Sequence, residues 1–228
     1  MNNKDQDQAA DILIHEVDED LRREQYLKLW RAYGKYAIAA IAAIILGVAG
    51  HQAWLSWRDR QFQAEAAKYQ AAEELTTAGK QNEALVKLAE IAGGKGGFAM
   101  AAGFRRAELQ VESGDLAAAA ASYDAISKSD APAQFRDLAT LKGAMLTLDK
   151  DDPEALAKRI QPITNAANPW HFTAIEMMAM LANRRGDKDQ AIKYFKQLAD
   201  DAQAPQGARS RASEMLTILG GGQAPEKG

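Results

Sequence analysis

Cysteine is absent from the 228-residue chain, which excludes disulfides, lipid attachment through a thiol and thiolate metal sites. The absence leaves the compartment open, although it suits an oxidising one, where an unpaired thiol is a liability. An excess of basic charge is missing as well. The net charge is −3 and no large basic patch is visible, so no nucleic-acid partner is expected. Aromatic residues make up only 7% and β-branched runs are sparse, whereas Ala leads and Leu, Gly, Lys and Glu are all common, so helix is favoured along nearly the whole chain. Histidine is scarce: His15, His51 and His171 lie far apart and form no metal-ligand spacing. No phosphate-cradling lysine followed by Ser or Thr occurs, and the single match to a dinucleotide fingerprint, Gly94 to Ala99, overlaps the flexible GGKGG stretch (93–97) between helices rather than following a strand. The expectation is therefore no cofactor, no metal and no enzyme.

Charge of either sign is missing from one further place, and the chain is organised around it. Tyr36 to Leu55, YAIAAIAAIILGVAGHQAWL, carries no formally charged residue and is bracketed by Lys35 and Arg58. About 20 predominantly apolar residues are what an α-helix needs to cross a hydrocarbon core roughly 30 Å thick. Inside lipid such a helix satisfies its own backbone, as an isolated strand or loop cannot. Trp30, Tyr33 and Tyr36 stand at one edge and Trp54 and Trp57 at the other, where amphipathic rings prefer the headgroup level. His51 and Gln52 weaken the last turn. A buried core helix would keep a polar face, which this segment lacks, and a cleaved secretory signal would follow a short basic leader rather than 35 residues rich in acids. The expectation is an uncleaved transmembrane helix over 36–57.

Before it, residues 1–35 form an N-terminal segment, expected to be disordered through residue 11 and then a mediocre amphipathic helix with Ile14, Val17 and Leu21 on its stripe. Residues 21–35 hold five cations and residues 56–70 hold three, a bias that places the N-terminus in the cytoplasm. Within the span, Ala39, Ala43 and Gly47 fall four apart on one face. Small residues at that spacing let two lipid-embedded helices approach closely, which makes them a candidate lateral interface.

After the span the chain repeats itself. The small residues Ala72, Ala107, Gly143 and Ala179 are separated by 35, 36 and 36 residues, and so are Ala84, Ala119, Ala155 and Ala191. Turn signals lie between the members of each pair: Gly79, Gly114-Asp115, Asp149-Lys150-Asp151 and Gly186-Asp187. Each unit reads as helix, turn, helix, with the small residues where the two helices touch. Four residues beyond the second small residue come Leu88, Tyr123, Arg159 and Phe195, and three further Ile91, Ile126, Pro162 and Leu198. The third unit breaks the rule: Leu156, Ile160 and Ile163 are displaced by one, and Pro162 is expected to end or kink its second helix. Gly207 to Leu219 reads as a capping helix that covers the last hairpin through Ala212, Met215, Leu216 and Leu219, and 220–228 as a disordered tail. Trp170, between Pro169 and Phe172, is the notable aromatic cluster of this region. It reads either as packing between hairpins or, with Phe172, as a partner-binding anchor.

The fold expected is thus all-α: one transmembrane helix, then a repeat domain over 58–219 of about four hairpins and a cap. The pattern resembles the tetratricopeptide repeat, a roughly 34-residue helical hairpin with small residues at such places. GDLAAAAASYDAI (114–126) and GDKDQAIKYFKQL (186–198) carry the resemblance best. The acidic-then-basic N-terminal segment, the span closing on Trp54 and Trp57, and the array ending near SEMLTIL (213–219) together resemble the YfgM-type tetratricopeptide-like proteins of proteobacterial inner membranes. That resemblance implies a single-pass protein with a periplasmic repeat domain, ancillary to the SecYEG translocon and working with a PpiD-like periplasmic chaperone. It supplies no catalytic residues. A scaffold of another envelope complex, for cell division or wall synthesis, fits the same architecture.

Overall fold

The computed structural model describes residues 3–220, and the side chains of residues 27–36 and 38–220. Every element among the described residues is helical. The first helix, α1 (Asn3–Thr77), is a single uninterrupted element. It begins well before residue 12, so most of the stretch expected to be disordered is helical. The reason is compositional: residues 3–33 contain no glycine or proline, and Asp5, Asp7 and Asp11 stand near the helix start, where acids complement the backbone dipole. The side chains of Ile14, Val17 and Leu21, and the tail 221–228, lie outside the described residues.

The chain divides into two compact units, residues 1–63 and 64–228. The division falls inside α1, a few residues beyond the end of the span read from sequence. The first unit is helix alone. Along its apolar segment the side chains are exposed, Ile38, Ile41, Ile44, Ile45, Leu46 and Val48 ranging from 58% to 72%.

The second unit is the array. Its first hairpin pairs the end of α1 with α2 (Gln81–Ala92). Then come α3 (Gly97–Glu112) with α4 (Leu116–Ser127), α5 (Ala133–Thr147) with α6 (Pro153–Ile160), and α7 (His171–Arg184) with α8 (Lys188–Asp200). The final helix, α9 (Gln206–Leu219), lies against α8, and Ala212, Met215, Leu216 and Leu219 pack on the last apolar core, as the capping role requires. Packing is between neighbours along the chain: Ala72, Ala84, Leu88, Ala102 and Leu109 form one core, and Ala107, Tyr123, Ile126 and Ala139 the next.

The turn inside each hairpin sets the register of its second helix. Gly79, Gly114 and Gly186 adopt φ of 74°, 80° and 78°. Only glycine takes that left-handed conformation without a steric penalty, so each closes its helix in the fewest residues. Counting four from the residues that then cap the second helix, Lys80, Asp115 and Asp187, reaches Ala84, Ala119 and Ala191, all fully buried. The third turn has no glycine and takes one residue more before its cap, Asp152, whose carboxylate accepts from Glu154 N at 3.3 Å and Ala155 N at 3.1 Å. Four from Asp152 is Leu156, not Ala155. Leu156, Ala157 and Ile160 are buried and Ala155 is exposed, which corrects the assignment of Ala155 to the helix contact. As expected, α6 stops short of Pro162, and a 3-10 turn follows over Gln161–Thr164.

A leucine at Ala119 or Ala191 should therefore cost about 1–3 kcal/mol through overpacking. Ala155→Leu and Lys193→Ala, both at exposed positions, should stay within about 0.5 kcal/mol. Urea unfolding followed by circular dichroism reads all four. Equal losses at Ala119 and Ala155 would reject the turn-set register.

Candidate interaction surfaces

Three kinds of surface are built on these helices. The first is the apolar segment of α1. Among the described residues this is the one helix long and apolar enough to cross a membrane, and none of its most apolar window is buried. The Lys35 ammonium lies 5.1 Å from the centroid of the Tyr36 ring, and the Arg58 guanidinium 5.0 Å from that of Trp54. A cation held over a ring is stabilised by the ring's quadrupole. Tyr36 and Trp54 are 18 residues apart, about 27 Å of helix at a rise near 1.5 Å per residue, close to the thickness of a hydrocarbon core. Ala39, Ala43 and Gly47 are exposed on the same helix, and a Cβ placed on Gly47 would meet nothing within 4 Å, so this small-residue face is open.

The second surface is the face made by the first helices of successive hairpins, which ion pairs stitch together. Arg105 on α3 reaches Glu73 on α1 at 3.1 Å and Glu112 at 3.4 Å. Partial burial works against the charge of Arg105, but these carboxylates outweigh it and hold its pKa above the ordinary arginine value. Lys142 on α5 meets Glu108 on α3 at 3.2 Å and stands 5.6 Å from the centroid of the Tyr123 ring. Its charge, too, is opposed by partial burial and sustained by Glu108 and Tyr123, with the pKa raised. Arg211 on α9 grips buried Glu176 on α7 with two bonds, 2.7 and 2.8 Å. Between α3 and α5 a groove of about 380 Å³ runs past Val111, Tyr123, Lys142 and Met145. Sequence reading did not single out Arg105, Glu108, Lys142, Glu176 or Arg211. The partners sit 32 to 35 residues apart, so they face each other only once the hairpins stack.

Trp170 and Phe172 are both half-buried, but on different cores. Trp170 packs against the core of the third and fourth hairpins, and its Nε1 donates to Gln134 O at 2.7 Å. Phe172 packs against the last core and on the His171 ring, with centroids 3.7 Å apart.

The third surface was missed by sequence reading. A cavity of about 530 Å³ opens between the first and second hairpins, walled by small and apolar side chains of α2, α3 and α4 and by the glycines of 93–97. The available signal was that same glycine-rich stretch followed by Ala99 and Gly103, which leaves no bulky side chain to fill the seam. Gly103 is required for close approach, because a Cβ there would come within 3.0 Å of Ile126 Cγ1. Among the described residues no group of three His, Asp or Glu side chains is placed to hold a metal.

In comparison with known proteins, a family model described as a tetratricopeptide repeat-like domain matches residues 28–215. No curated protein and no solved structure matches the chain.

Proposed function

We propose, from the premise that this chain belongs to the tetratricopeptide repeat-like domain family, that it works as a membrane-anchored scaffold for protein–protein interactions. Repeat domains of this kind are typically non-enzymatic scaffolds, and stacked hairpins offer extended surfaces on which partners dock. The observation that carries the reading is the union, in one chain, of an exposed apolar helix of membrane-crossing length and a repeat array. Tethering keeps the array at a bilayer, which raises its effective concentration toward membrane partners and lets weak contacts hold a complex together. The orientation is N-terminus in the cytoplasm and array in the periplasm, from the five cations before the span against three after it. The YfgM-type resemblance then nominates the SecYEG translocon and a PpiD-like chaperone as partners. Ala39, Ala43 and Gly47 supply a lateral contact within the bilayer, and Trp170 with Phe172 an aromatic contact outside it.

Affinity purification of the intact chain in mild detergent tests this. SecY and a PpiD-like protein should be recovered together. A fragment of residues 58–228 should lose the translocon and keep the chaperone weakly, and Gly47→Leu should weaken the translocon contact alone. Recovery of a division or wall-synthesis complex, with no translocon subunit above background, would transfer the assignment to that complex.

A further inference from the structure

The cavity between the first two hairpins holds a charge that the fold does not neutralise. Arg106, on α3, lines it and is half-buried, yet among the described residues it makes no hydrogen bond and no ion pair. Its neighbour Arg105 meets Glu73 and Glu112. The repeat shows what belongs at this position in a closed seam. With Ala107 aligned on Gly143 and Ala179, Arg106 corresponds to Lys142, which has Glu108, and to Met178, which is buried in an apolar core. Arg106 has neither solution. Its guanidinium is left free to pair, and a carboxylate, which can accept two of its N–H groups at once, is the partner that its geometry favours.

The walls define the rest of the ligand. Ala89, Ala92, Met100, Ala125, Ile126 and Pro132 present apolar surface, and a cavity of about 530 Å³ lies within the size range of ligand sites. Asp130 is the one acid of the lining; it is exposed and makes no ion pair with Arg106. A rim carboxylate disfavours a run of acids and tolerates a single one aimed inward at the arginine. We propose that this seam binds an extended peptide segment in which one side-chain carboxylate, flanked by apolar residues, reaches Arg106. The proposal rests on the reading of the array as a protein-interaction scaffold and adds to it a site and a ligand chemistry.

The full chain in mild detergent is probed with an array of hexapeptides blocked at both ends, so that only side chains carry charge. Binding should concentrate on peptides with one Asp or Glu between Leu, Ile, Val or Met. The amide counterparts, Asn or Gln, should bind about tenfold or more weakly, the scale of a charge-assisted hydrogen bond. Arg106→Gln should erase the preference for the acid, and Arg106→Lys should keep part of it. Ala125→Trp, from an exposed position on the pocket wall, should block binding outright, with circular dichroism unchanged in each variant. No preference for an acid, a preference that survives Arg106→Gln, or binding of anionic phospholipid vesicles in place of peptides would each overturn the proposal. If the peptides fail while the chain still recovers SecY and the chaperone-like partner, the site falls and the scaffold stands; if both fail, the scaffold falls too.

Discussion

Replacing Phe195 with alanine should cost about 3–5 kcal/mol, the range for removing a buried phenylalanine, and should loosen only one end of the array. Phe195 is 1% exposed on α8 and packs with Ile175, Ala179, Leu198, Ala212 and Leu216, so the void would open where α7, α8 and α9 meet. In a stacked array stability is approximately a sum of terms within units and between neighbours. The loss should therefore appear as faster amide hydrogen exchange in residues 171–219, with residues 81–127 keeping their protection. A uniform loss of protection along the array would show that it unfolds as one body and that the neighbour-by-neighbour description is wrong.

The second large effect concerns the anchor. Ile41 and Ile44 lie three apart on α1, 58% and 65% exposed, near the middle of the apolar segment. An arginine at the centre of a transmembrane helix costs about 2.5–3.5 kcal/mol on insertion scales, so Ile41→Arg with Ile44→Arg should disfavour insertion by about 5–7 kcal/mol. In a soluble coiled contact two exposed arginines would change little. The double variant should shift from the membrane pellet to the supernatant on alkaline carbonate extraction, while Ile44→Leu stays in the pellet. A double variant that resists extraction as firmly as the parent would remove the anchor from the proposed function.

Much of this fold could be read from spacing alone, because a repeat announces itself wherever small residues recur at its period. Ala84, Ala119 and Ala191 were found that way. Ala155 was misplaced for a definite reason: counting from the previous repeat assumes turns of equal length, and the glycine-free third turn is one residue longer. Counting instead from the helix cap, Asp152, lands on Leu156. The functional surfaces were less legible. The bond between Arg211 and Glu176 spans 35 residues and depends on how two helices stack, which no local pattern reports. The Arg106 cavity is harder still, because it is defined by side chains that are absent: glycines and alanines on three helices whose convergence is visible only in three dimensions. The membrane-length helix lay at the other extreme, since its signal is wholly local.

Packing between sequence neighbours has a consequence in time. Each helix of the array finds its main partner in the helix just before or after it, so no contact has to wait for a distant part of the chain to be made. A chain that emerges N-terminus first can dock one hairpin at a time onto finished structure, leaving a single growing end with its apolar side uncovered. The last segment to arrive is α9, whose Ala212 and Leu216 close that end. Until it docks, the array carries a sticky terminus, and interruption of synthesis before residue 206 leaves that terminus permanently open.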